Sequence, residues 1–147
     1  MYLALDSKFS GTYQASISAK ELVLEERPDA KIEIIDSLSC TFNLFCMVRE
    51  AANMANENKP MEEIIDKVNK MIPDERVYMT VDSLEALKES GRVSNISAAL
   101  GALLQIKPIL EYKDGVLSSI EKVKGINKAL KTVIEKTKEY HYSNYTK

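Results

Sequence analysis

The sequence predicts an α/β protein in two parts: a narrow parallel sheet with helical crossovers, then an α+β segment built around an antiparallel hairpin. Two observations point to the first part. Short apolar or alternating runs, "MYLAL" and "KIEIID", are interleaved with amphipathic stretches as far as about residue 81. Such alternation favours parallel strands joined by right-handed crossovers. A third observation breaks the pattern: "IKPILEY" and "VLSSIEKV" are separated only by "KDG", which is hairpin spacing. A second unit is therefore expected to begin near Val81, giving domains at residues 1–80 and 81–147.

Each element has its own signal. Residues 1–5 are apolar and followed by polar breakers, as expected of a short buried strand. From 11 to 26, Tyr13, Ile17, Leu22 and Val23 recur at near-helical spacing, with charges elsewhere. "RPDA" ends that helix, because proline disfavours helix in the residue before it. Residues 31–36 alternate apolar and polar, as a strand does.

A helix is predicted over 41–56. Pro60 stands at the first turn of the next one, whose buried stripe is Ile64, Ile65, Val68, Met71 and Ile72. "RVYMTV" is strand-like and "SLEALKES" is a short helix stopped by Gly91. Ser94 is placed to cap a further helix through Leu104, with Ala98, Ala99, Leu100 and Leu103 as a broad apolar surface. Ile126, Leu130, Val133, Ile134 and Thr137 mark a last helix before the polar tail "EYHYSNYTK". A parallel sheet of two or three strands leaves its faces incompletely covered, so the first part resembles a piece of a larger α/β protein.

Composition narrows the function classes. The 147 residues are 45% hydrophobic and 29% charged, which suits a folded globular domain. With 22 acids against 20 bases and no basic stripe, nucleic acid is not an expected partner. No apolar run reaches the length of about 18 residues that a membrane span needs, so no membrane anchor is expected and the cytoplasm is the default. Cys40 and Cys46 lie six apart, a spacing that suits neither a redox pair nor a zinc site, and no metal is expected. The single histidine, His141, falls in the polar tail.

Two polar junctions carry the remaining chemistry. "SGT" at 10–12 and "DSLS" at 36–39 fall where a predicted parallel strand gives way to a helix. Open α/β sheets bind ligands at that edge, and helix N-termini favour anions. Gly11 removes a side chain that would keep a ligand from the backbone, while Ser10, Thr12 and Ser37 offer hydroxyls. Neutral donors of this kind suit a carboxylate or phosphate. The same residues also suit plain helix capping, and both roles are compatible. A nucleophile elbow, a phosphate loop and a dinucleotide fingerprint are all missing from the sequence, so no catalytic constellation is expected.

Three motifs, "SKFSGTYQAS" with "IEIIDSLS", then "VDSLEALKESGRVSNISAALGALLQIKPIL", then "DG" with "EKVKGINKAL", run in one order over about residues 3 to 135. In motif and spacing the chain resembles the DegV family of bacterial fatty-acid-binding proteins. The resemblance implies a remnant of a two-domain fold, with a Rossmann-like parallel-sheet part and the start of an α+β part. It also implies a ligand: one long-chain fatty acid such as palmitate, its carboxylate held by Thr12 and Ser37 with Ser10 and Gly11 beside them, and no cofactor.

The implied partner is a separate fatty-acid kinase that makes acyl phosphate, docking at Arg92 and Lys124. Burying about fourteen methylenes at about 0.8 kcal/mol each would set affinity. Hydroxyl bonds of about 1.5–3 kcal/mol each would set orientation. Family members are nearly twice as long, show small residues where this chain has "CTFNLFC", and carry arginine at the position of Lys124. Phe42 and Phe45 are expected to narrow the tunnel, and the short length leads us to expect a homo-oligomer covering exposed apolar surface. Two other readings stand beside this one: an interaction module that binds no lipid, and a small acyl hydrolase using Ser10 or Ser37.

Overall fold

The computed structural model describes residues 1–74, 76–82, 89, 91 and 105–145. Two compact units divide the chain, Met1–Glu75 and Arg76–Lys147. In the first, β1 (Tyr2–Ala4) runs parallel to β2 (Ile34–Asp36), with Leu3 opposite Ile35 and α1 (Thr12–Glu26) as the crossover. Then come α2 (Thr41–Asn56), α3 (Met61–Met71) and a single 3-10 turn, Ile72–Asp74. Only the last half of "KIEIID" joins the ladder, because β1 offers just three partners.

The core of this unit is Ile35 from β2, Ala51 from α2, and Ile64 and Val68 from α3, with Leu3, Met54, Ile65 and Ile72 packed around it. Ile64 and Val68 are one turn apart and share a face, which is why the periodic stripe of α3 can be read directly. Helix α1 behaves otherwise. None of its residues is buried, and Leu22 of its expected stripe is 64% exposed. A sheet of two three-residue strands is too narrow to cover a helix of fifteen residues.

The second unit is a three-stranded antiparallel sheet in the order β3 (Val77–Thr80), β4 (Ile106–Lys113), β5 (Val116–Lys124), followed by α4 (Ile126–Tyr145). The run "RVYMTV" therefore does not extend the parallel sheet, contrary to what the alternation favours. Val77 to Thr80 pair with Tyr112 to Ile109, so the compact units divide at Glu75/Arg76 rather than near Val81. The predicted hairpin has its turn at Asp114 (φ 51°) and Gly115 (φ 72°), the pair of positive φ values that matches strand twist in a two-residue loop.

One irregularity bends β5: Ile109 faces Glu121 while Leu110 faces Ser119, leaving Ile120 as the extra residue of a bulge. Pro108 is tolerated inside β4 because it lies one residue beyond the last β3 partner, where that side of the strand needs no N–H. Ala129 and Val133 of α4 pack on Ile109 and Val123, whereas Ile126, Leu130 and Ile134 of the predicted stripe are exposed. His141 lies on this helix, not in a tail. Arg76 stacks on the Tyr140 ring at 5.4 Å and pairs with Glu111 at 3.8 Å.

Gly91 has φ 68°, a value suited to the helix-stopping role expected of it. The helix predicted before it, the apolar helix predicted over 94–104, and Arg92 lie outside the described residues. The turn is testable. Gly115→Val places a β-branched residue at a left-handed φ, and we expect a loss of about 1–2 kcal/mol. In urea denaturation the midpoint should fall with the slope unchanged; an unchanged midpoint would show that the turn does not hold this geometry.

Candidate functional site

Two loops leave the carboxyl ends of β1 and β2, and hydrogen bonding holds them side by side. Asp6 N–H donates to Ser39 O at 3.1 Å, and Ser7 N–H donates to Asp36 Oδ1 at 3.1 Å. The same Asp36 oxygen accepts from Leu38 N–H at 3.2 Å. Within the first loop, Phe9 and Ser10 N–H both donate to Asp6 O at 3.0 Å, and Lys8 N–H donates to Asp6 Oδ1 at 2.6 Å. This coil presents Ser10 and Thr12, whose hydroxyls are hydrogen-bonded to each other, while Thr12 N–H reaches Ser10 Oγ at 3.3 Å.

Gly11, the N-cap of α1, has an ordinary φ of −68°, so backbone conformation does not demand glycine. A Cβ built there meets nothing within 4 Å. The backbone is open on that side, as a ligand approach requires.

The second loop is tighter. Ser37 N–H donates to Ala4 O at 3.3 Å, and its hydroxyl donates to Ser39 O and accepts from Ser39 N–H, both at 3.2 Å. Ser37 and Ser39 are both buried. Leu38 (φ 46°) and Thr41 (φ 52°) hold left-handed conformations, unusual for a bulky and a β-branched residue, at about 1–3 kcal/mol each. Helix α2 starts here with Cys40 as N-cap and no side-chain cap. Plain capping by Thr12 or Ser37 is thus not what these hydroxyls do: the N-caps are Gly11 and Cys40, and neither makes a side-chain cap bond.

Two acids, Asp6 and Asp36, line the same loops; the sequence places Asp36 and Ser39 in the "DSLS" junction without giving either a role, and does not mark Asp6 at all. Asp6 is fully buried. Burial pushes its carboxyl above the usual value, with the nearby Asp36 adding to the shift and the Lys8 N–H and ammonium opposing it. Burial likewise raises the Cys40 thiol, against a hydrogen bond with Thr41. A buried thiol of this kind is inert, and both cysteines are free.

Ser10, Gly11 and Thr12 therefore share one loop, partly or fully exposed, and Ser37 lies buried in the loop tied to it. No hydrogen bond joins Thr12 to Ser37. Lys124 is the exposed last residue of β5 in the other unit. Phe42 and Phe45 stack at 5.6 Å on the first turns of α2, with Arg49 over the Phe45 ring, and Phe42 is 67% exposed. An apolar cavity of about 600 Å³ lies at the opposite end of β1, between Leu3, Val48, Ala51, Ala55 and Ile64. Among the described residues no group of acids, histidines or cysteines could hold a metal, and no helix is long and apolar enough to cross a membrane.

The model of the family described as "Uncharacterised protein, DegV family" matches residues 1–146. The chain belongs to the DegV family. It is 41% identical over 136 residues to a DegV domain-containing protein of Clostridium perfringens, covering 92% of this chain and 47% of that one. Among solved structures, it resembles a stearic-acid-binding protein from Eubacterium ventriosum, with TM-score 0.88 and 31% identity over 98% of this chain and 49% of the other. A DegV family protein from Eubacterium eligens, loaded with heptadecanoic acid, gives TM-score 0.80 and 28% identity over 95% of this chain and 51% of that one. This DegV chain spans about half the length of the relatives it matches. Its two sheets, one parallel and one antiparallel, fit the α/β class that the sequence predicts.

The raised Asp6 carboxyl has a pH signature. An acid whose folded-state value exceeds its unfolded value of 3.8 favours folding below that value, and the benefit is lost as pH rises through the folded value. Asp6→Asn keeps an oxygen for Lys8 N–H but never ionises. The thermal midpoint of the variant relative to wild type should therefore climb as pH goes from about 4 to about 7. A difference that stays flat over that range would contradict the assignment.

Proposed function

We propose that this DegV chain binds a long-chain fatty acid such as palmitate, holding the carboxylate with neutral hydroxyl donors and catalysing nothing itself. The observation that carries this reading is the pair of tied loops at the carboxyl ends of β1 and β2. Ser10 and Thr12 are displayed on one, Ser37 lies buried in the other, and Gly11 is open to approach. An anion with no phosphate loop and no metal needs such donors, and the fatty acids in the stearic-acid and heptadecanoic-acid proteins are carboxylates of that kind.

The Met1–Glu75 unit is the head-group part, since both loops belong to it. The apolar cavity beside β1 and α2 offers that unit a compartment for hydrocarbon. Lys124, together with Arg92, is the docking point for a fatty-acid kinase that would phosphorylate the bound acid in the cytoplasm. Lysine gives that surface charge without the planar fork of arginine. An acyl hydrolase is disfavoured because no imidazole accompanies Ser10 or Ser37 in either loop. Exposed Leu22, Phe42, Phe45, Leu130 and Ile134 favour self-association, which would cover them.

Native mass spectrometry of the purified chain should show a bound acyl chain or take up added palmitate. Replacing both Thr12 and Ser37 by Ala should weaken palmitate at least about tenfold, through lost hydrogen bonding to a charged group and a loosened second loop. Wild-type protein that neither carries nor binds a fatty acid would refute the function. A double variant with unchanged affinity would refute only these two residues.

A further inference from the structure

We propose that Ser39 supplies a third head-group hydroxyl, with Ser37 acting as its positioning residue; the inference rests on the fatty-acid reading above. Its basis is an imbalance inside the second loop. Every backbone polar group of Ser39 is used: its N–H donates to Ser37 Oγ, and its carbonyl accepts from both Ser37 Oγ and Asp6 N–H. Its own hydroxyl has no partner, although the residue is only 1% exposed. A buried hydroxyl without a hydrogen bond is costly, and folded proteins rarely keep one. Among the described residues it is the one buried side-chain oxygen left in this state.

Ser37 is in the opposite condition. Its hydroxyl already donates and accepts within the loop, so its donor is committed to Ser39 O. A carboxylate arriving at these loops would find the Ser39 O–H uncommitted and the Ser37 O–H engaged. Bonding to Ser39 would satisfy the orphaned group and would break none of the hydrogen bonds that now hold the loop. Mutating Ser37 therefore acts in part through Ser39, by releasing the backbone that fixes it. The ligand class is a carboxylate on an apolar chain, because the free donor is neutral and buried and the fatty-acid reading above supplies an anion that such a donor can hold.

Palmitate and methyl palmitate, which keeps the chain but lacks the charge, separate the possibilities when titrated into the 147-residue chain. Ser39→Ala should weaken palmitate at least about tenfold, change methyl palmitate less than about threefold, and leave the thermal midpoint equal or higher, since an unsatisfied buried hydroxyl has gone. Ser39→Cys, which preserves volume with only a weak S–H donor, should show the same selective loss and guards against an Ala variant that fails to fold. Wild-type affinity for palmitate in both variants overturns the role of Ser39 and leaves the fatty-acid reading standing. Equal loss of both ligands also overturns it, since the effect would then be on the pocket as a whole. A wild-type chain that binds neither ligand overturns both readings together.

Discussion

The candidate site in the first unit depends on the cross-tie between the loops that follow β1 and β2. Three paired residues per strand make a weak ladder, and nothing in it fixes the chain beyond Ala4 and Asp36. Asp6 N–H to Ser39 O and Ser7 N–H to Asp36 Oδ1 extend the parallel pairing past the sheet. They convert two independent strand ends into one surface. Without them the Ser10–Thr12 pair and the Ser37–Ser39 turn would be separate loops with no common surface. The tie also explains the acids. Asp36 is an acceptor serving both loops, and Asp6 organises its own loop by accepting from Lys8, Phe9 and Ser10.

A tied loop can hold conformations that a free one would relax. Leu38 and Thr41 flank Ser39 and Cys40 with left-handed φ values, and neither residue type favours that region. Their combined cost, about 2–6 kcal/mol, must be met by surrounding structure. The bonds of Ser37 to Ser39 and of Asp6 to Ser39 supply that constraint, and the burial of Ser37 and Ser39 keeps water from replacing them.

Much of the architecture is legible in the amino-acid pattern alone. Helix α2 spans the predicted residues 41–56, α3 buries the predicted Ile64 and Val68, and "KDG" turns the hairpin. These signals are local, and local propensity decides them. Non-local pairing is what escapes the pattern. Val77–Thr80 has the same apolar character whether its partner is parallel or antiparallel, so periodicity cannot assign its sheet. Leu22 and Ile134 sit on proper helical stripes, but a stripe says only that a face could be buried, not that something covers it. In the site, hydroxyl residues at strand ends are visible as a type. The engaged hydroxyl of Ser37 and the idle one of Ser39 cannot be told apart by sequence, because their difference lies in a turn two residues wide. Asp6 is visible as a letter, yet only its burial gives it a role.

Two carboxyl groups beside a site for a third look contradictory, and the hydrogen bonding resolves the conflict. The Asp36 charge is already met by two backbone N–H groups. Burial raises Asp6, which lowers its readiness to ionise and so its repulsion of an incoming anion. The acids therefore shape the loops, and the proposed carboxylate is left to the hydroxyls. Residual repulsion still opposes a carboxylate, and neutral hydroxyls alone hold it weakly. For the proposed fatty acid, affinity would then come mainly from the hydrocarbon, at about 0.8 kcal/mol for each methylene removed from water. A short carboxylate such as acetate has no such compensation, so the proposed site would favour long chains.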